Sequence, residues 1–180
     1  SCASDAKGLL KTACRMDDPV IFMEHKGLYR QGYAATEEPD SEYLLPFGKG
    51  RQVVEGDELT VITWGAMVQK SLEAIKLLEL SNDIVEVIDL RTLNPIDMEI
   101  IESSITKTGK VLVVHEDNVT NGPGAEISAI IADRFFELLD GPVRRVAAKD
   151  SPIPFNWHIE EKILPQTQDV ANTIKELLEY

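Results

Sequence analysis

From Thr60 onward, short apolar runs rich in β-branched residues alternate with stretches whose apolar residues recur every three or four positions, and this alternation constrains the fold more than any other feature. The runs are strands and the intervening stretches are helices, because a period of two suits a sheet and a period of 3.6 suits a helix face. The pattern predicts strands over 60–64, 84–88, 110–115 and 143–147. It predicts helices over 66–80 (Val68, Leu72, Ile75 and Leu78 on one face), 97–105 (Met98, Ile101, Ile105), 125–138 (Ile127, Ile131, Phe135, Leu138) and 168–178 (Val170, Ile174, Leu177). Strand, helix and strand in succession imply an α/β fold, a three-layer α/β/α arrangement around a mostly parallel sheet. The run from Lys110 to His115 is nearly all apolar, as expected of a strand covered on both faces.

The opening third reads differently. Residues 4–24 predict a helix, with Leu9, Leu10 and Ala13 on one side, stopped by Asp17-Asp18-Pro19 and followed by a short apolar strand, Val20–Met23. Between Tyr33 and Gly50 the periodicity fails. Glu37, Glu38, Pro39, Asp40 and Glu42 cluster without a base, and Pro46, Gly48 and Gly50 follow, so 33–50 is expected to be a linker, as is the Pro-rich loop 151–157. The expected organisation is a helix-strand unit over 1–32, the linker over 33–50 and an α/β domain over 51–180.

Charge and cysteine content exclude several functions. Eighteen basic against 31 acidic side chains give a net charge of -13, a field that repels phosphate backbones and anionic lipid and suits basic protein partners. Nucleic acid and membrane are therefore not expected as partners. Cys2 and Cys14 lie near one end without companions at metal-ligand spacing, which suits reduced thiols in a cytoplasmic setting.

In parallel sheets, chemistry collects in the loops after the strands. The turn Trp64-Gly65-Ala66 offers backbone amides without dinucleotide-fingerprint spacing. In the stretch Asp89–Asp97, Pro95 ends the strand path, Asp97 is placed to cap the next helix, and Arg91 is placed for an ion pair. The richest loop runs from His115 to Ile127 and holds His115, Glu116, Gly122, Gly124 and Glu126. A His beside a Glu suggests an acid/base pair, but neighbours on a strand point to opposite faces, which favours a structural or interface role. No metal-ligand arrangement surrounds His25 or His158 in the sequence, and there is neither a nucleophile elbow nor a P-loop.

The segments Asp5–Leu10, Pro19–Glu24, Tyr29-Arg30, Asp89–Asp97 and His115–Ile127, in this order and spacing, resemble the beta subunit of thiamine-diphosphate-dependent 2-oxoacid dehydrogenases along the whole chain. Glu24-His25-Lys26 and Leu28-Tyr29-Arg30 lean toward the branched-chain, 2-oxoisovalerate, members. The resemblance implies a transketolase C-terminal-like domain preceded by the tail of a pyrimidine-binding domain. It implies that the activating Glu, the catalytic His and the groups holding thiamine diphosphate and magnesium lie outside this chain. The implied partners are an alpha subunit or alpha half, a second beta subunit and a lipoyl acyltransferase docking at Glu137, Asp140 and Tyr180. A potassium ion held by backbone carbonyls is implied at Ala13, Cys14, Met16 and Asp18, although the family pattern has Asp and Asn where Met16 and Asp18 stand. A Pro-terminated helix with solvated carboxylates is the plainer account of that turn. Two further readings stay open at this point: a free-standing transketolase-like binding or regulatory module without catalysis, and a nucleotide-binding domain.

Overall fold

Five strands share one sheet in the order β1-β3-β2-β4-β5, where β1 is Arg51–Val54, β2 Leu59–Thr63, β3 Val85–Asp89, β4 Val111–Asn118 and β5 Arg144–Ala148. This is a computed structural model, and it describes residues 1–81 and 83–180. Strands β3, β2, β4 and β5 run parallel, and β1 pairs antiparallel with β3 at one edge.

Alternation along each strand builds the layers. Val61, Val87, Leu112 and Val114 point to one face and pack against α2 (Met67–Leu77) and α6 (Thr167–Leu178) through Met67, Ala74, Val170 and Ile174. Ile62, Ile88, Val111 and Val113 point to the other and meet α3 (Met98–Thr108) and α4 (Pro123–Arg134) through Ile101, Ile105, Ile127 and Ile131. Helices cover both sheet faces, so β2 and β3 are buried along their whole length. The result is a three-layer α/β/α domain of the expected class.

Helix ends follow local chemistry. Asp97 caps α3 by accepting the Ile100 N–H at 3.3 Å, and Gly109 closes it in the left-handed conformation at φ 65°. Pro123 opens α4, where its missing N–H is harmless. Gln166 and Asp169 form a reciprocal capping box on α6. One buried polar cluster ties α3 to the sheet, with the Thr60 hydroxyl 2.6 Å from Ser104 Oγ and 2.7 Å from Thr108 Oγ1. Thr60→Val is expected to lower stability by about 1–2 kcal/mol, read from urea unfolding, because it strips hydrogen bonds from two buried hydroxyls.

Four features depart from the sequence reading. Val20–Met23 forms no strand: the segment is extended and open, with Ile21 90% and Met23 74% exposed, since no neighbouring strand offers it a ladder. Arg51–Val54, just past the expected linker, is a strand whose four residues are too few to show a period. Trp157–Ile163 is a short helix, α5, started by Asn156 accepting the His158 N–H at 3.0 Å. The first helix, α1, is also shorter than expected, Ala3–Ala13.

Residues 33–50 run beside α1 and are held to it at both ends. Lys7 Nζ reaches Glu38 Oε1 at 2.9 Å and the Pro39 carbonyl at 2.6 Å, while the Thr12 hydroxyl donates to the Leu45 carbonyl at 2.8 Å. A Cβ on Gly8 would lie 2.7 Å from the Tyr43 ring and 2.8 Å from Leu45 Cβ, so glycine there is what permits the close approach.

Candidate functional site

The parallel strands present their carboxyl ends along one edge, where Trp64, Asp89 and His115 fall side by side. Strand order reverses direction between β2 and β4, which makes the crevice between Trp64-Gly65 and His115-Glu116 the usual place for a ligand. Here the chain's own side chains fill it. The His115 ring is fully buried and stacks on Trp64, with ring centroids 5.4 Å apart and planes inclined by 8°. Gly122 and Gly124 press on the ring from the turn before α4, where a Cβ at Gly124 would stand well under 3.0 Å from Nε2. Neither ring nitrogen has a hydrogen-bond partner. Burial pushes the His115 pKa down; Asp117 opposes that shift and Arg145 adds to it.

Glu116 points to the opposite face, as strand geometry requires, and meets His25 rather than His115. His25 Nε2 lies 2.8 Å from Glu116 Oε2, which ties the strap carrying the 3-10 turns Lys26–Leu28 and Gly32–Ala34 to the carboxyl end of β4. Tyr33 in this strap has its pKa raised by burial, then by Glu73 and Glu116. No local pattern signals the pair, because its members stand 91 positions apart. Its energy is small, since side-chain exposures of 36% and 28% leave both groups partly hydrated. Glu116→Gln is expected to change stability by about 0.5 kcal/mol or less, with the difference fading in high salt.

The strongest electrostatic feature lies one strand over. Asp89 is fully buried at the end of β3 and Asp5 is 2% exposed on α1. Arg51 Nη2 sits 3.3 Å from Asp89 Oδ2 and 3.5 Å from Asp5 Oδ2, and Arg91 Nη2 lies 2.9 Å from Asp5 Oδ1. Arg91 takes a left-handed backbone, φ 59°, with its N–H donating to Asp89 Oδ1 at 3.1 Å. These four side chains fasten α1 to the sheet edge. The expected Arg91 ion pair and Asp97 cap are both present, and Asp97 Oδ2 also accepts the Gly50 N–H at 2.8 Å.

The residues singled out for partner docking gather on another surface. Asp140 and Tyr180 line an open groove of about 650 Å³ with Ser128, Ala129, Phe136 and Arg145. Glu137 is exposed on the adjacent 3-10 turn, and Phe136 and Tyr180 are each 72% exposed. Gly122 and Gly124 serve the His115 seat, and Glu126 is an exposed acid in the first turn of α4.

The Ala13 carbonyl already accepts the Met16 N–H at 3.2 Å, and Cys14, Met16 and Asp18 are open to solvent. Among the described residues, Asp5 and Asp89 are paired with arginines and the β2–β4 crevice is occupied by the Trp64–His115 stack, so neither place fits thiamine diphosphate or magnesium. Among the described residues no three His, Cys, Asp or Glu side chains converge at metal distance, and no helix is long and apolar enough to cross a membrane.

Comparison with known proteins agrees with this architecture. The chain is 40% identical over 175 residues to the pyruvate dehydrogenase E1 component subunit beta of Rickettsia bellii, covering 97% of this chain and 53% of the relative. It is 43% identical over 176 residues to the Staphylococcus aureus protein of the same name, covering 98% and 53%. The chain thus spans about half the length of the curated relatives it matches. A solved structure described as a split gene transketolase, inactive beta4 tetramer, superposes with a TM-score of 0.65 and 28% identity over 76% of this chain and 44% of that one. Residues 48–170 match the family described as Transketolase, C-terminal domain, a span that takes in the whole sheet, and the chain belongs to that family.

Proposed function

We propose that this chain is the carboxyl-terminal part of the beta subunit of a 2-oxoacid dehydrogenase, the component that decarboxylates a 2-oxoacid and passes the acyl group to a lipoyl carrier. The observation that carries this reading is the match along nearly the whole chain to subunits named for that component. In this reading residues 1–32 are the tail of an upstream cofactor-binding domain, fastened to the family domain by the Asp5, Arg51, Arg91 and Asp89 network. Thiamine diphosphate supplies the decarboxylation chemistry when bound by the rest of the assembly. The residues here hold the scaffold: they fix the strap at the carboxyl end of β4 and present a docking surface.

The partners that follow are an alpha subunit, a second beta subunit and a lipoyl acyltransferase. Our candidate surface for the last is Glu137, Asp140 and Tyr180, beside a groove lined by Asp140 and apolar side chains such as Ala129, Phe136 and Val143, in a chain of net charge -13. Pyruvate is the first substrate to test, since the relatives above carry that name. The Glu24–Arg30 stretch favours 2-oxoisovalerate as the second. The test is to assemble the full-length parent with its alpha subunit, thiamine diphosphate and magnesium, and compare kcat/KM for the two acids. Turnover of either supports the reading, with the larger kcat/KM naming the substrate. An assembled, cofactor-loaded complex that decarboxylates neither would refute it.

A further inference from the structure

His115 has no part in the proposed scaffold and docking roles, yet it is the one fully buried histidine, with both ring nitrogens unpartnered. Its surroundings have two parts of unequal firmness. The strand side is fixed, with the ring against Trp64 and the Thr63 hydroxyl tied to the Val114 carbonyl at 2.9 Å. The turn side is fastened only up to Thr120: the Val119 N–H donates to the Ala148 carbonyl at 2.8 Å, and Thr120 holds Asp150 through its N–H at 3.0 Å and its hydroxyl at 2.7 Å. Beyond it, Asn121 has a left-handed backbone, φ 61°, and α4 begins without a side-chain cap. Gly122 and Gly124 then rest directly on the imidazole.

We propose that His115 is an acid-operated latch: a second proton on the ring drives it from its seat between Trp64 and the glycines, releasing residues 121–124 and the first turn of α4. A neutral imidazole is tolerated in this apolar slot, while a cation there has no acceptor on either nitrogen and faces the positive end of α4. The charges around it do not compensate. Asp117 on the same side of β4 draws the proton in, but it is exposed; Arg145 on β5 opposes it. Glu126 in the first turn of α4 is exposed, and Glu116 is turned to the other face and occupied by His25. Contacts with Thr120 hold the Asp150 carboxyl below the usual range, so that clamp stays charged and opening is confined to the segment after Thr120.

The direction with pH follows. An exposed imidazole titrates near about 6.5, and the seated ring below that. Between those two points the open turn binds a proton that the closed turn does not, so closure is complete above the upper one and weakens as pH falls toward the lower. Because Ala125 and Ser128 of the same helix line the groove, the latch couples acid to the shape of that surface.

The test uses the full chain carrying Trp157→Phe, which leaves Trp64 as the only indole. His115 Cε1 shifts, Trp64 emission and amide exchange corrected for intrinsic rate are followed from about pH 8 to about pH 5. The expected result is one shared midpoint, with exchange at Gly122 and residues 124–126 rising by about tenfold once the ring is charged while exchange in the strands is unchanged. In His115→Gln the Trp64 transition disappears, and in His25→Gln it stays. Titration of His115 with exchange at Gly122 and residues 124–126 unchanged would overturn the proposal in the parent chain, whether or not His115→Gln folds; so would a transition that survives in a folded His115→Gln.

Discussion

Asp5→Ala is expected to destabilise the chain by about 3 kcal/mol and to set α1 free of the sheet. Asp5 lies 2.9 Å from Arg91 and 3.5 Å from Arg51, and its removal leaves Arg91, whose side chain is 12% exposed, with a charge that nothing else answers. Arg51 is 34% exposed and recovers part of its hydration, so the loss falls toward the lower end of the range for a broken buried pair. Urea unfolding gives the magnitude, and limited proteolysis at Lys11 and Arg15 reports whether α1 has detached. Asp5→Ala combined with Arg91→Met should recover part of the loss, since an apolar pair tolerates burial better than one stranded charge. A change below about 1 kcal/mol with α1 still protected would mean that the network does not join the two segments.

Gly124→Ala is the second large effect, at about 3 kcal/mol. The new methyl would overlap Nε2 and Cδ2 of His115, a ring that in its neutral form is held in place by full burial and by stacking on Trp64. Two comparisons separate crowding from general intolerance of glycine replacement. Gly32→Ala adds a methyl with nothing within 4 Å and should be near neutral. His115→Ala in the Gly124→Ala background makes room for the methyl and should restore part of the stability, with Trp64 emission shifting to that of an unstacked indole. A Gly124→Ala chain as stable as the parent would show that the turn relaxes freely, and the seat of His115 would then be loose.

What the sequence disclosed follows from the range of each signal. Helices α2, α3, α4 and α6 and the four parallel strands announce themselves by local periodicity, because each buries a face against one central sheet. The same local logic reaches the Asp97 cap. It fails where a segment depends on a neighbour: Val20–Met23 has strand composition and no partner, while Arg51–Val54 is polar in half its residues and becomes a strand by pairing with β3. The candidate site was half legible. The separation of His115 from Glu116 follows from strand geometry alone. The His25–Glu116 pair, the Trp64–His115 stack and the reach of Arg91 to Asp5 join residues far apart in the chain, and no spacing rule encodes them.

In the proposed function the chain is a scaffold whose reactive groups are supplied by the rest of its assembly. The most direct measurement is release of carbon dioxide from pyruvate and from 2-oxoisovalerate by the 180-residue chain alone, with thiamine diphosphate and magnesium present at saturating levels. No release above the protein-free rate is predicted. Sustained turnover by the isolated chain would contradict the account, since it would place the reactive centre among the residues described above.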